Sequence, residues 1–326
     1  MQKSRLNNML CNVCLGVLSF VAFALFVWMC FKSPICVDER EHIQASYLIY
    51  NGKVPYRDFF EHHHALIWYL FAPVFYFLDD WSLVYYAIRV FSLIVAMCSA
   101  YYIYRIGRIL GLDAHKAIIG SIVWACFPVV LTEGEDFRPD NPMIAVFLMG
   151  MAYFLRYIQE KRGVLLQVSI FCCFISIMFL QKAILMIFPL GLVCLWLLFK
   201  REIYWKDLAV SLVYPLVISF VFVFTLLATD QLKDYWELNW LLNLNIRKIA
   251  GIEGHLLYVL YVGVILAIWG IIKEKNISFR VVSVFYVLMV LELFFYRMLY
   301  PHYMLIYYPF LAVIVVYVLR YINHEF

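Results

Sequence analysis

Residues 37–75 read VDEREHIQASYLIYNGKVPYRDFFEHHHALIWYLFAPVF. The stretch sets Asp38, Glu39, Glu41, His42, Asp58, Glu61, His62, His63 and His64 between two apolar segments. Around it the chain is 66% hydrophobic and 15% charged, with mean hydropathy +0.85. Soluble domains carry about 25% charged residues, so the composition identifies an all-α polytopic membrane protein. Ionisable groups in or beside a bilayer are costly, and a cluster this dense points to function.

Working outward, apolar runs at 9–31, 83–104, 116–133, 142–158, 164–180, 183–199, 208–229, 255–272, 281–296 and 302–319 give about ten expected transmembrane helices. The run 65–78 is too short to span and is expected to be interfacial or re-entrant. Met9–Phe31 is longer than a signal-peptide core and lacks a small-residue cleavage site after it, so it is expected to be a retained first span. One domain is expected over 1–326, with a first outer loop at 32–82 carrying short interfacial helices and a longer outer loop at 230–254. The nine cysteines lie mostly in apolar runs and outline no disulfide framework.

Charge asymmetry sets the sidedness. With the N-terminus inside, one face collects 15 of the 26 Lys and Arg and carries net +9, leaving net −5 opposite. The positive-inside rule then makes both termini cytoplasmic and puts the acidic cluster on the outer face. An inner membrane of a bacterium, with the polar cluster facing the periplasm, is the expected location.

Four outer-face segments are polar without need. Asp38–Tyr50 reads as a helix closed by Asn51-Gly52, with Asp38 and His42 on one face, and Val54–Asp58 is expected to run extended toward His62–His64. Thr132–Asn141 contributes Arg138 and Asp140, Gln181-Lys182 breaks two apolar runs, and Arg297–Tyr303 contributes Arg297, His302 and Tyr303. Carboxylates that activate a nucleophile and cations that hold a phosphate would together line one cavity at the membrane surface.

The order of these motifs resembles the membrane-embedded, GT-C-like glycosyltransferases that use polyprenyl-phosphate sugars, among them the protein O-mannosyltransferases and the lipid A aminoarabinose transferases. Asp38-Glu39 stands where such proteins open the first outer loop, Gly52–Asp58 follows as the extended stretch, and Glu61–Leu66 stands for the His/Lys-Pro-Pro-Leu element, with both prolines absent. Arg89, Arg138-Pro139-Asp140, Gln181-Lys182-Ala183 and His302-Tyr303 with Pro309 continue the series. The resemblance implies an inverting transfer from a polyprenyl-phosphate sugar to an acceptor hydroxyl of a lipid, glycan or protein. Asp38 and Glu39 would be catalytic, with Asp38 the general base. Asp140, Arg138, His62, His63 and Arg57 would bind acceptor or sugar, and Lys182, Arg297, His302 and Tyr303 the donor phosphate.

Asp38, His42 and His62–His64 are suitable metal-ligand types, but adjacent histidines cannot all point one way. The expectation is therefore no metal and no cofactor. No nucleic-acid partner is expected. A transporter or flippase for a lipid-linked sugar or small solute is the alternative. Against it, charges crowd one face, with Glu292 the main exception, and half-spans interrupted by Pro or Gly in two matching halves are not evident.

Overall fold

The computed structural model describes residues 2–245, 254–293 and 300–322. Among them the protein is helical, with one isolated β-bridge between Pro55 and Phe59. The long helices are α1 (Gln2–Lys32), then, after α2 (Val37–Tyr50) and α3 (Leu66–Phe71), α4 (Trp81–Ile109). There follow α5 (Ala114–Ala125), α6 (Pro128–Glu133), α7 (Asp140–Glu160), α8 (Gly163–Phe179), α9 (Ile184–Phe199) and α10 (Trp205–Ala228). The chain continues with α11 (Leu232–Tyr235), a π-helical turn at Trp236–Leu241, α12 (Leu242–Asn245), α13 (Gly254–Lys273), α14 (Ile277–Glu292) and α15 (Tyr308–Ile322).

Five described helical segments are long and apolar enough to cross a membrane by length and composition: Met9–Lys32, Trp81–Ile109, Asp140–Glu160, Gln181–Phe199 and Trp205–Ala228. Leu66–Tyr76, Gly163–Phe179, Leu257–Lys273 and Tyr308–Tyr321 are shorter apolar helices. The run expected as one span over 116–133 is two helices, because Pro128 lacks an N–H to continue α5 and instead opens α6. The run expected from 302 begins as a 3₁₀ turn, Pro301–Ile306, before α15. The run 65–78 forms α3 and a 3₁₀ turn at Ala72–Tyr76, and both pack on α2.

Helix α7 is the hub, packed against α4 and α8 and burying Met143, Phe147, Met151 and Phe154. Helices α1 and α10 instead expose large apolar residues such as Phe20, Trp28, Phe220 and Phe224, a surface suited to lipid. α7 is 21 residues long, about 30 Å at 1.5 Å per residue, and its two ends face two separate polar layers. At the Glu160 end, Gln159 Nε2 donates to the Ile109 carbonyl at 2.8 Å, Tyr157 Oη donates to Asp207 at 2.8 Å, and Lys161 meets Glu202 at 2.5 Å. Arg320 pairs with Glu274 at 2.6 Å in the same basic-residue-rich loop set. The Asp140 end faces the acidic and histidine-rich segments.

Candidate active site

Helix α2 forms where the sequence places it. Cys36 caps it: its thiol accepts the Glu39 N–H, and the Glu39 carboxylate accepts the Cys36 N–H at 3.1 Å, a capping box with a thiol in the hydroxyl position. Asn51 ends the helix and Gly52, at φ +76°, takes the left-handed turn. One turn of this helix divides its carboxylates. Asp38 is 47% exposed, whereas Glu39 is fully buried.

Glu39 is held on all sides. Arg89 of α4 grips it bidentately at 2.7 and 3.0 Å, and the Phe137 N–H donates to it at 2.8 Å. Arg89 also donates to the carbonyls of Glu135, at 3.0 Å, and Ser33, at 3.2 Å. This locks α2, α4 and the segment before α7 into one unit.

Asp38 faces the other way and begins an alternating chain of charges. Its Oδ2 lies 3.1 Å from Arg138, Arg138 Nε lies 3.8 Å from Asp140, and Asp140 accepts from the Lys182 ammonium at 2.5 Å. Arg138 also reaches Glu133 at 3.5 Å. Lys182 rides on a short 3₁₀ turn, Gln181–Ala183, which forms because the backbone at Leu180 turns extended after α8. Its ammonium sits over the Tyr303 ring, 3.8 Å from the centroid, and His302 packs beside Tyr303 with ring centroids 5.0 Å apart. A cavity of about 340 Å³ opens beside Asp38, lined also by Cys36, Glu133, Glu135, Asp136 and Arg138.

The triple histidine is held by its backbone. The His62 carbonyl accepts from Gln181 at 2.9 Å and Asn243 at 2.7 Å, and the His63 carbonyl accepts from Tyr56 at 2.7 Å. The His62 and His63 rings lie close, centroids 3.9 Å apart and tilted by 43°, while His64 turns away to Tyr235, whose hydroxyl takes the Trp240 indole N–H at 3.2 Å. Trp240 thus buttresses this loop. His42 accepts the Trp68 indole N–H on Nδ1 at 3.1 Å, which leaves its proton on Nε2. Burial holds His42 well below the usual imidazole range and pushes His62, His63 and His64 down to about 4.

The structure therefore brings together Asp38, Arg138, Asp140, His62, His63, Lys182, His302 and Tyr303. It does not bring Arg57 there. Residues 54–58, expected to be extended, form a tight turn: Asp58 accepts the Val54 N–H at 2.8 Å, and Tyr56 is at φ +69°. Pro55 fixes one backbone angle of that turn and the Asp58 side chain closes it. Arg57 sits exposed on the turn, paired with Asp58 at 3.0 Å. Arg297 lies outside the described residues, as do Arg247 and Lys248.

Sequence reasoning did not single out Glu133, Glu135 or Asp136, although all three line the cavity. The clue was available, since three acids in four residues directly precede Phe137-Arg138. Burial, with Glu39 and Glu135 nearby, raises the Asp136 carboxyl to about 8. The unfolded carboxyl titrates near 3.8. Between those values the folded protein holds a proton that the unfolded chain has lost, so this contribution to stability is present at low pH and fades as pH rises through about 8. Asp136→Asn, which cannot ionise, is therefore expected to melt progressively higher relative to wild type as pH is raised from 5 to 9. Thermal unfolding in detergent at both ends of that range checks it.

A family model for dolichyl-phosphate-mannose-protein mannosyltransferase matches residues 63–231, just over half of the chain. The chain belongs to that family. The matched segment contains His63, Arg138, Asp140 and Lys182, while Asp38 and His302 lie outside it. No curated protein sequence matches significantly.

Among solved structures, the protein is similar to ArnT from Cupriavidus metallidurans. The crystal structure bound to undecaprenyl phosphate superposes with TM-score 0.67 at 10% identity, over 95% of this chain and 60% of that one. The apo structure gives 0.69 at 12% identity, with the same coverages of 95% and 60%. At such identity the likeness establishes the fold, and it does so over 95% of this chain. The chain spans 60% of the length of these structures.

Proposed function

We propose that the protein is an inverting glycosyltransferase that moves a sugar from a polyprenyl-phosphate carrier to an acceptor hydroxyl. The observation that carries this reading is the chain Asp38–Arg138–Asp140–Lys182, whose Asp38 and Arg138 line a polar cavity, in a protein of the mannosyltransferase family. Asp38 is the only carboxylate of that chain with substantial exposure, so it is the one an incoming hydroxyl can reach. It takes the hydroxyl proton as the oxygen attacks the anomeric carbon. The bond from that carbon to the lipid phosphate breaks, and the phosphate leaves with the electron pair.

Lys182 is placed to meet the charge that grows on the leaving phosphate. One of its three N–H donors goes to Asp140 and the ring of Tyr303 supports the ammonium from below, which leaves donors for phosphate oxygens. His302 and Arg297 would complete the phosphate site. Arg138, His62, His63 and Asp140 would border the acceptor and sugar. Glu39, sealed off from the cavity, acts as a positioning residue that sets Asp38 through the rigidity of α2. Undecaprenyl phosphate in the similar ArnT structure supports a lipid-phosphate donor. The whole of 1–326 would act as one domain, with the site on the outer face, both termini cytoplasmic and a bacterial inner membrane as the location.

The test is a comparison of envelope glycans from a deletion strain with those of the same strain carrying the wild-type chain. Loss of one sugar on deletion, restored by the wild-type chain, supports the transfer and names the sugar. An unchanged glycan profile, with labelled polyprenyl-phosphate sugars left intact by the purified protein, rejects it. Lys182→Met is expected to raise the KM for the lipid-phosphate donor at least ~10-fold, in line with about 1.5–3 kcal/mol for a charge-assisted hydrogen bond. Donor-dependence kinetics read that shift.

A further inference from the structure

Beside Asp38, but off the charge chain, four side chains converge. Glu41 lies one turn along α2, and Glu61, His62 and His63 come from consecutive positions of the outer loop. One ligand atom from each lies within 4.8 Å of every other. His62 Nδ1 is 3.7 Å from Glu41 Oε1, and His63 Nδ1 is 3.4 Å from Glu61 Oε2. A tetrahedral ion with bonds of about 2.0–2.1 Å to nitrogen and oxygen has ligand–ligand edges of about 3.4 Å. Two of those edges are therefore nearly formed already. We propose that Glu41, Glu61, His62 and His63 bind one divalent transition-metal ion of the zinc class, clamping the outer loop to α2.

The loop is held by its own carbonyls through Gln181, Asn243 and Tyr56, so the ligands are presented without large rearrangement. Two imidazoles with two carboxylates favour zinc over magnesium or calcium, which take all-oxygen shells. The sequence argument that adjacent histidines diverge holds for His64 alone, since it faces Tyr235.

The site is independent of the transfer reading, because it can be measured with no sugar present. The full-length protein, freed of any affinity tag and stripped with chelator in detergent, is titrated with Zn²⁺ by calorimetry and with Co²⁺ by visible absorption. The expected result is one ion per chain and a tetrahedral Co²⁺ spectrum. His63→Ala and Glu61→Gln are expected to weaken Zn²⁺ at least ~100-fold, the upper range for disturbing even an outer partner of a metal ligand. Glu41→Gln, on the partly exposed face of α2, keeps the test open if a buried variant misfolds. His64→Ala, from the same triplet, should leave the affinity within a few-fold. No saturable binding by wild type, or binding indifferent to His63→Ala and Glu41→Gln, overturns the proposal.

Discussion

Asp38→Asn is expected to slow sugar transfer by ~10²–10⁴-fold while leaving the fold intact, the range over which a positioned general base contributes. The substitution keeps shape and removes only basicity. Asp38 is about half exposed, and its ionic partner among the described residues, Arg138, retains Glu133 and Asp140 when the charge is lost. Loss of stability is therefore a poor explanation for loss of rate at this position. A reconstituted assay with purified variant and wild type, normalised by thermal unfolding, separates the two effects. Wild-type rate in Asp38→Asn would remove Asp38 from the chemistry and, with it, the proposed mechanism.

The second large effect is one of stability. Removing either partner of the Glu39–Arg89 pair, as in Arg89→Ala, should destabilise the protein by about 3–5 kcal/mol, because the survivor is left charged and fully buried. Glu39→Ala should do the same by orphaning Arg89 and the Phe137 N–H. An apolar pair of similar volume, Glu39→Leu with Arg89→Met, should recover part of the loss, since paired burial itself costs desolvation. Monodispersity and melting temperature in detergent read all three. If Arg89→Ala melts like wild type, the clamp carries no stability and Asp38 must be positioned by other contacts.

How much of this could be read from the residues depended on range. Helix α2 was legible because its signals are local, a stretch of polar and apolar residues closed by Asn51-Gly52. The break at Gln181-Lys182 was legible because two apolar runs joined there exceed one span. The turn at 54–58 was misread, since Asp58 bonding back to Val54 overrides the extended preference near Pro55. The split of 116–133 was lost in uniform hydropathy, where a single Pro128 decides. The partition of Asp38 from Glu39 was not legible at all: adjacent acids look alike in sequence, and only Arg89 and Phe137, far along the chain, bury one and leave the other wet. The outer-end clustering of Asp140, Lys182 and His302 was expected from sidedness, whereas their contact distances are a property of the packed bundle.

The clamp on Glu39 also sets an order of events during synthesis. Its partners lie 50 residues downstream at Arg89 and 98 residues downstream at Phe137. At about 5–20 residues per second, the ribosome needs roughly 5–20 s after Glu39 to deliver the last of them. Arg89 can pair with Glu39 first, but the wall of the cavity formed by residues 132–138 is completed only when the later partner arrives. Completion of the cavity therefore waits on the arrival of the segment before α7, and a nascent chain stalled short of Phe137 holds Glu39 with one of its three clamp donors missing.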